Sequence, residues 1–301
     1  MNKADPEYAN AMPIPRRTFT QMSLACALKR STSWANPANA PLSLLVVSDT
    51  HLGMKNSTHA ADQWLKLAAE MRDVQADMVL HLGDIVDGGR EDQYAPYLKG
   101  RELIGKPMHE IPGNHDPAQL FSKNIRAQID TAVDLGQIRI LLLNNSRTDS
   151  HDGFLSVEQL QWIRAQCTSA REQHLGVILA MHVPAHTNTS PDRGWYMRPQ
   201  NGQRELYQII KEHEERVIAL FHGHFHNGLR GWHTDKNAPE ISFPSALYNQ
   251  GRNLEASGAP GFNPSEFRPA FSRVTIHPTS LEISVHVLRH GEVLSKKLAR
   301  G

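Results

Sequence analysis

Short apolar segments alternate with segments of helical periodicity through the first two thirds of the chain. Leu42–Ser48 is rich in Leu and Val along its whole length, which predicts a strand buried on both faces. Asp62–Arg72 instead gathers its apolar residues on one side of a helix. This alternation is typical of α/β proteins with parallel, buried strands. Further strands are predicted at Met78–Leu82, Pro107–Ile111, Ile138–Leu143 and Gly176–Met181, and further helices at Val157–Ala165 and Arg204–His213.

The pattern changes after Arg216, where apolar segments follow one another without helices between them. Because consecutive strands without helical crossovers usually pair antiparallel, we predict a second, antiparallel sheet in this part of the chain. Two stretches rich in polar residues or in Gly and Pro predict long loops, Pro184–Gln203 and Asn249–Pro269. The late strands are predicted at Val217–Phe221, Gly228–His233, Glu240–Phe243, Phe271–His277 and Leu281–Val287.

Composition indicates an ordinary globular chain and excludes several kinds of function. The 301 residues are 40% hydrophobic and 21% charged, which suffices for a full core. The formal net charge of +1 reflects a basic N-terminal segment, so the remaining chain is slightly acidic and has no basic stripe typical of nucleic-acid binding. The two cysteines, Cys26 and Cys167, predict neither a disulfide within the chain nor a thiolate metal site.

Residues 1–40 contain the parts of a bacterial twin-arginine export signal. Arg16 and Arg17 precede a weakly apolar stretch that ends at Leu28, and Ala38-Asn39-Ala40 offers a cleavage site of small residues. The apolar stretch is too short to span a bilayer, and no later segment reaches the roughly 18 apolar residues of a transmembrane helix. We therefore expect export to the periplasm by the cell's export machinery, and one domain over residues 41–301. The alternative is an N-terminal arm without a targeting role.

Five short polar clusters, nearly all directly after apolar segments, carry potential metal ligands. Asp49 with His51, and His224 with His226, are spaced so that an extended chain would point both side chains the same way. Oxygen and imidazole ligands without sulfur suit Mn, Fe or Zn in a catalytic site. Each cluster alone is weak evidence, but five in order indicate a two-metal hydrolytic site. They are Asp49-Thr50-His51, Gly83-Asp84-Ile85-Val86-Asp87, Gly113-Asn114-His115-Asp116, His182 and Gly223-His224-Phe225-His226.

Together the five clusters resemble the motifs of the calcineurin-like metallophosphoesterase superfamily. The resemblance extends from about Leu42 to the C-terminus and includes every motif position. It implies an α/β fold, a four-layer α/β/β/α sandwich with two mixed β-sheets, over a catalytic domain at 41–301. It also implies two divalent metal ions, the first held by Asp49, His51, Asp84 and His226, and the second by Asp84, Asn114, His182 and His224.

The resemblance further implies how such a site works. A hydroxide shared by the two ions would attack phosphorus, and His115 would assist the leaving oxygen. Asp87 would orient His115 and keep it protonated. Asp116 could orient neighbouring backbone or serve only the turn before Pro117. The substrate would be a small-molecule or lipid phosphoester, and no substrate-binding residue is assigned.

Residues beside the motifs favour the cyclic-nucleotide and general phosphodiesterase branch. Asp87 stands where purple acid phosphatases have a tyrosine, and Gly88-Gly89 stand where phosphoprotein phosphatases have a phosphate-binding arginine. We therefore expect a phosphodiesterase. The alternatives are a phosphomonoesterase with the same site and a non-catalytic metal-binding scaffold. In the Pro184–Gln203 loop, Arg193 and Arg198 could contact a substrate phosphate or only be solvated, and Trp195 with Tyr196 could stack on a base or other flat leaving group or only anchor the loop.

Overall fold

The computed structural model describes residues 41–54, 57–186, 195–232, 238–249 and 268–299. The predicted export signal within residues 1–40 lies outside these ranges, as do Arg193 and most of the predicted loop Asn249–Pro269. Within the described ranges, no helix combines the length and the apolar character needed to cross a membrane.

The described residues form five α-helices and twelve β-strands. The helices are α1 Ser57–Asp73, α2 Tyr94–Ile104, α3 Ala118–Asn124, α4 Val157–Glu172 and α5 Gln203–Glu212. The strands are β1 Leu42–Val47, β2 Met78–His81, β3 Met108–Glu110, β4 Thr131–Leu135, β5 Ile138–Leu142, β6 Gly176–Ala180, β7 Val217–His222, β8 Arg230–Trp232, β9 Glu240–Ser242, β10 Ala270–Ile276, β11 Ser280–Val287 and β12 Gly291–Ala299.

The strands form two six-stranded sheets, and both are mixed. The first has the order β12-β11-β10-β1-β2-β3, in which β1, β2 and β3 are parallel and the others antiparallel. The second has the order β4-β5-β6-β7-β9-β8, in which β5, β6, β7 and β9 are parallel. Two mixed sheets in an α/β fold were predicted, and the structure confirms them.

The prediction that the late strands form a separate antiparallel sheet is wrong. β7 pairs in parallel with β6 and is buried along its whole length, as expected of a strand between two covered faces. β10, β11 and β12 instead extend the first sheet, where Leu42 of β1 lies opposite Ile276 of β10. The apolar pattern predicts that these segments are strands, but it does not specify which earlier strand each one pairs with.

The core consists of three clusters that correspond to four layers. One cluster lies between the sheets and includes Leu44 of β1, Ile178 of β6 and Val274 of β10. A second packs α4 and α5 against the outer face of the second sheet. A third packs α1, α2 and α3 against the outer face of the first sheet. Helices therefore cover the outer faces of both sheets, so each parallel strand is buried on both of its faces.

Replacing Trp64 with alanine is expected to lower the free energy of unfolding by about 3–5 kcal/mol. The Trp64 side chain is fully buried on α1 and stacks on Tyr97 of α2 with ring centroids 5.4 Å apart. Its Nε1 also donates a hydrogen bond to the Tyr97 carbonyl oxygen at 2.9 Å. Alanine would leave a cavity and remove the donor. Urea unfolding with EDTA present measures the change without a contribution from bound metal.

The control for this prediction is Trp162→Ala. Trp162 is a partly buried residue that packs at the margin of the α4–α5 cluster, so its loss should cost less than the loss of Trp64. A change below about 1 kcal/mol for Trp64→Ala would contradict the packing described for α1 and α2.

Candidate metal centre

The predicted ligands follow the carboxyl ends of five parallel strands. Asp49 and His51 come after β1, Asp84 after β2, Asn114 after β3, His182 after β6, and His224 and His226 after β7. Since β1–β3 and β6–β7 lie in different sheets, the site sits where the edges of the two sheets meet. Carboxyl edges of parallel strands are the usual place for binding sites in α/β folds.

Main-chain hydrogen bonds join the loop after β1 to the loop after β2. The N–H groups of Asp49, His51 and Leu52 donate to the carbonyl oxygens of Gly83, Asp84 and Ile85 at 2.9, 3.0 and 2.9 Å. The backbone that carries Asp49 and Asp84 is therefore held by main-chain hydrogen bonds, without contacts from their side chains.

Five of the seven predicted ligands have backbone conformations that L-residues rarely adopt. Asp49, His51, Asp84, His224 and His226 have φ between 44° and 72°. The pairs Asp49–His51 and His224–His226 are therefore not brought together by an extended chain, as the spacing had suggested, but by turns. Such conformations cost about 1–3 kcal/mol each and persist where the surrounding structure imposes them, often at functional sites.

Two glycines of the motifs lie where a side chain has no room. A Cβ atom on Gly113 would lie 2.1 Å from Asp84 Oδ1, and one on Gly223 would lie 2.0 Å from Ser48 Oγ and 2.8 Å from Asp49 Oδ2. The backbone before Asn114 and before His224 thus approaches the two carboxylates closely, which only glycine allows.

Asp49, His51, Asp84 and His226 form a first ligand group. Each offers one ligand atom, and these atoms all lie within 4.8 Å of one another. His226 Nε2 lies 3.0 Å from Asp49 Oδ1 and 3.1 Å from His51 Nε2. Asp84 Oδ2 lies 3.5 Å from His51 Nε2. All four residues are buried, and they are the residues that the resemblance assigns to the first ion.

Asp84, His182 and His224 form a second ligand group within the same 4.8 Å limit. His182 Nε2 lies 3.2 Å from Asp84 Oδ2 and 3.2 Å from His224 Nδ1. Asp84 therefore belongs to both groups. Asn114, the remaining residue that the resemblance assigns to the second ion, is also buried.

Hydrogen bonds to Nδ1 orient three of the histidines. His182 Nδ1 donates to the Leu82 carbonyl oxygen at 2.7 Å, and His226 Nδ1 donates to the Tyr248 carbonyl oxygen at 3.1 Å. His51 Nδ1 donates to Asp87 Oδ1 at 3.1 Å. In each ring Nε2 is then the nitrogen left to bind a metal, as in most protein sites where a second partner fixes the ligating imidazole.

The donor set fits divalent cations on two counts. His51 Nε2 and His226 Nε2 lie 3.1 Å apart, close enough for one cation to contact both. Asn114 Oδ1 is buried and has no hydrogen-bond partner among the described residues. An unsatisfied buried polar atom costs about 1–3 kcal/mol, so a ligand for Asn114 Oδ1 is expected.

The charges of the site also favour cations. Burial opposes ionisation of Asp49, but the nearby His226 outweighs it and holds the pKa of that carboxyl below its usual range. Burial likewise opposes ionisation of Asp84, but His182 outweighs it and lowers the pKa well below the usual value. Both carboxylates are therefore anionic at neutral pH. Burial lowers the pKa of His182, yet Asp84 outweighs it and raises the pKa to about 9, so a metal ion would bind there in exchange for a proton.

The contact predicted between the Asp87 carboxylate and His115 differs in the structure. Asp87 Oδ1 lies 3.8 Å from His115 Nδ1 but 3.1 Å from His51 Nδ1. His115 Nδ1 instead donates to the main-chain carbonyl oxygen of Asp87 at 2.6 Å. Asp87 thus orients His115 through its backbone and His51 through its side chain.

His115 forms a further group with His51 and Asp87, but it does not belong to the two groups that share Asp84. Its ring lies edge-on to His51 with centroids 4.8 Å apart, and its side chain is about one third exposed. Burial lowers the pKa of His115, but the Asp84 carboxylate and the Asp87 carbonyl outweigh it, so the pKa is raised. With Nδ1 held by a carbonyl oxygen, Nε2 is the atom that can exchange a proton.

Asp116 orients neighbouring backbone, which the sequence analysis left as one of two alternatives. Its carboxylate accepts hydrogen bonds from the N–H groups of Ile85, Val86 and Gly113 at 3.0, 3.0 and 2.9 Å. One buried side chain therefore joins the loops that carry Asp84 and Asn114.

The main-chain contact of Tyr248 with His226 was not predicted, because any residue can supply a carbonyl oxygen and no sequence signal marks it.

Asp116→Asn is expected to weaken metal binding by about 10–100-fold, as is usual when a residue that positions ligands is changed. An amide has one acceptor oxygen and cannot accept all three N–H groups, so fewer hydrogen bonds would hold the two loops in place. Competition with a chelator measures the affinity. Asp77→Asn is the matched control, because the Asp77 carboxylate also accepts a backbone N–H, from Ser43 at 2.8 Å, at the opposite end of β1. Equal affinities in the two variants would contradict the role of Asp116.

Comparison with known proteins agrees with this site. The sequence family described as calcineurin-like phosphoesterase matches residues 42–228. A 3′,5′-cyclic-nucleotide phosphodiesterase from Nostoc sp. is 25% identical over 69% of this chain and 79% of its own length. A probable glycerophosphodiester phosphodiesterase from Arcobacter nitrofigilis is 27% identical over 60% of this chain and 70% of its own length. Among solved structures, a dimetal phosphatase from Danio rerio shares the fold with a TM-score of 0.65 and 14% identity, over 87% of this chain and 100% of that one.

Proposed function

This chain belongs to the calcineurin-like phosphoesterase family, and we propose that it hydrolyses phosphodiesters at a centre of two divalent metal ions. As a member of the family it is a metal-dependent hydrolase of phosphoric esters. The proposal adds the number of ions, the class of ester and the roles of individual residues.

The observation that carries the proposal is the pair of ligand groups that share Asp84. Two groups with one common carboxylate support two neighbouring ions rather than one. The buried atom Asn114 Oδ1 supports the second ion, since it requires a partner. Carboxylate, amide and imidazole ligands suit Mn, Fe or Zn.

Bound divalent ions supply Lewis acidity, because they lower the pKa of water and offset negative charge on phosphoryl oxygens. The chain's own residues do the rest. His115 holds a proton at Nε2 for the leaving oxygen, while the Asp87 carbonyl fixes the ring through Nδ1. The Asp87 carboxylate and the Leu82 and Tyr248 carbonyl oxygens hold the rings of His51, His182 and His226.

Two findings support a diester rather than a monoester. Two relatives that this chain matches over most of their length are named as a cyclic-nucleotide phosphodiesterase and a probable glycerophosphodiester phosphodiesterase. In addition, Gly88 and Gly89 stand where a phosphate-binding arginine would favour the doubly charged end of a monoester. We therefore favour a small-molecule or lipid phosphodiester as the substrate.

The test is turnover by the full chain after chelation and refilling with Mn, Fe, Zn, Ni or Mg. We expect at least one ion to restore hydrolysis, and kcat/KM to be higher for bis(p-nitrophenyl) phosphate than for p-nitrophenyl phosphate. A preference for p-nitrophenyl phosphate would favour a phosphomonoesterase. Binding of two ions without turnover of any phosphoester would favour a non-catalytic scaffold.

We also propose that the protein is exported to the periplasm by the twin-arginine route. The support is the sequence of residues 15–40, with Arg16-Arg17 before an apolar stretch and Ala38-Asn39-Ala40 before Pro41. Replacing both arginines with lysine should leave the full-length protein in the cytoplasmic fraction, whereas the unchanged chain should appear shortened in the periplasmic fraction. An unchanged chain that stays full-length in the cytoplasm would contradict the proposal.

A further inference from the structure

Two loops bring a pair of aromatic rings against the second ligand group. His151 follows β5 and Trp195 precedes α5, and their rings stack with centroids 4.7 Å apart and an interplanar angle of 30°. The His151 ring lies 5.8 Å and the Trp195 ring 5.9 Å from the ring of His224. We refer to His151 and Trp195 as the aromatic wall. It touches the metal centre although neither residue belongs to a family motif.

Polar contacts of Asp152 hold the aromatic wall in place. Its carboxylate accepts a hydrogen bond from the main-chain N–H of Trp195 at 3.3 Å and pairs with Arg198 Nε at 3.2 Å. The Arg198 guanidinium in turn lies 4.4 Å from the centre of the Tyr196 ring. Trp195 has φ of 64°, a left-handed conformation that a tryptophan adopts only where its surroundings impose it. Both loops are thus fixed by the same carboxylate.

The aromatic wall remains accessible. His151 is exposed and Trp195 is half-buried, so their stacked rings leave aromatic surface open to a ligand beside His224. The nearby charges of Asp152 and Arg198 are paired with each other, so what the wall offers a ligand is mainly flat aromatic surface. On the side of the first ligand group, Tyr248 lies 4.6 Å from the ring of His226 and is 37% exposed.

We propose that His151 and Trp195 form a binding subsite for a planar ring of the substrate, such as a nucleobase or an aryl group esterified to the phosphate. This inference rests on the proposed function and narrows its substrate class. A flat ring esterified to a phosphate at the metal centre would lie near His224 and could reach the wall. Stacking on the wall would stabilise binding of any such aromatic ring. An aliphatic alcohol such as glycerol gains little from that surface.

The test compares Trp195→Ala and His151→Ala on two kinds of diester. The full-length, metal-loaded variants should lose about tenfold in kcat/KM for bis(p-nitrophenyl) phosphate and for 3′,5′-cyclic AMP, mainly through a higher KM. The loss for glycerophosphoglycerol should be several-fold smaller. Trp195→Phe should recover most of the activity on the aromatic diesters because it keeps a ring. His59→Ala, which changes an exposed histidine of α1, is the control and should match the unchanged protein.

Binding of products gives a readout independent of turnover. Calorimetry should show that the two alanine substitutions weaken binding of AMP more than binding of glycerol 3-phosphate. Equal losses for both ligands and both kinds of diester would show that the wall only supports His224, and would overturn the inference. No loss at all would overturn it as well.

The proposed function and the proposed aromatic subsite can fail separately. If the unchanged protein hydrolyses neither kind of diester, the proposed function is wrong, and the comparison of AMP with glycerol 3-phosphate still decides the role of the wall. If it hydrolyses both and the variants change neither the ratio of the activities nor the ratio of the affinities, only the subsite is wrong.

Discussion

Asp84→Asn is expected to lower kcat/KM for bis(p-nitrophenyl) phosphate by at least about 100- to 1000-fold, which is the usual cost of losing one group that stabilises charge in a catalytic site. The substitution keeps the shape of the side chain and the contact of Oδ1 with the His115 N–H, which measures 2.9 Å. It replaces an anionic oxygen near His182 Nε2 and His51 Nε2 with an uncharged group. Because Asp84 belongs to both ligand groups, both ions should bind more weakly.

Metal analysis separates this account from a simple loss of folding. The variant should remain folded but hold less metal than the unchanged protein after identical loading and dialysis. Asp134→Asn is the control, because Asp134 is a carboxylate that pairs with Arg139 away from the ligand groups. A variant that retained both ions, or lost only one while the other bound with full affinity, would contradict the shared role of Asp84.

His115→Ala is expected to lower kcat by about 100- to 10000-fold for a diester with an alkyl leaving group, which is the usual contribution of general acid catalysis. The loss should be much smaller for bis(p-nitrophenyl) phosphate, because p-nitrophenolate leaves without needing a proton. Metal content should not change, since the contact from His115 to Asp84 is made by the backbone N–H and survives the substitution.

His115→Gln is the informative companion variant. Glutamine is polar and offers an N–H donor, but it cannot exchange a proton at neutral pH, so its activity should resemble that of His115→Ala. Full activity in either variant would remove His115 from the mechanism. The dependence on leaving group is also the reverse of that expected for the aromatic wall, whose variants should lose most with aromatic diesters.

The sequence predicts most strands and the order of the site motifs, but not all pairings. Fully apolar segments such as Val217–Phe221 identify buried strands because burial on both faces leaves no polar position. A segment that is apolar throughout carries no information about which strand it pairs with. The parallel pairing of β7 with β6 and the addition of β10–β12 to the first sheet were therefore seen only in the structure. Helix α2 was not predicted, since its apolar pattern is interrupted by polar residues and glycine.

At the site, the sequence identifies residue types and order but not how the backbone presents them. The left-handed φ of Asp49, His51 and His226 depends on tertiary contacts such as the joined loops after β1 and β2, and no local pattern signals it. The Asp87 carbonyl replaces its carboxylate as the partner of His115 for a similar reason. The contact of His151 with His224 joins residues far apart in the chain, one of them in a loop without a motif.

The central claim is that two ions bind at the meeting edges of the two sheets and share Asp84. Crystals of the full-length protein grown with Mn²⁺ would test it by anomalous scattering. We predict two peaks, one contacted by Asp49, His51, Asp84 and His226 and the other by Asp84, Asn114, His182 and His224. A single peak, or peaks away from Asp84, would contradict the account.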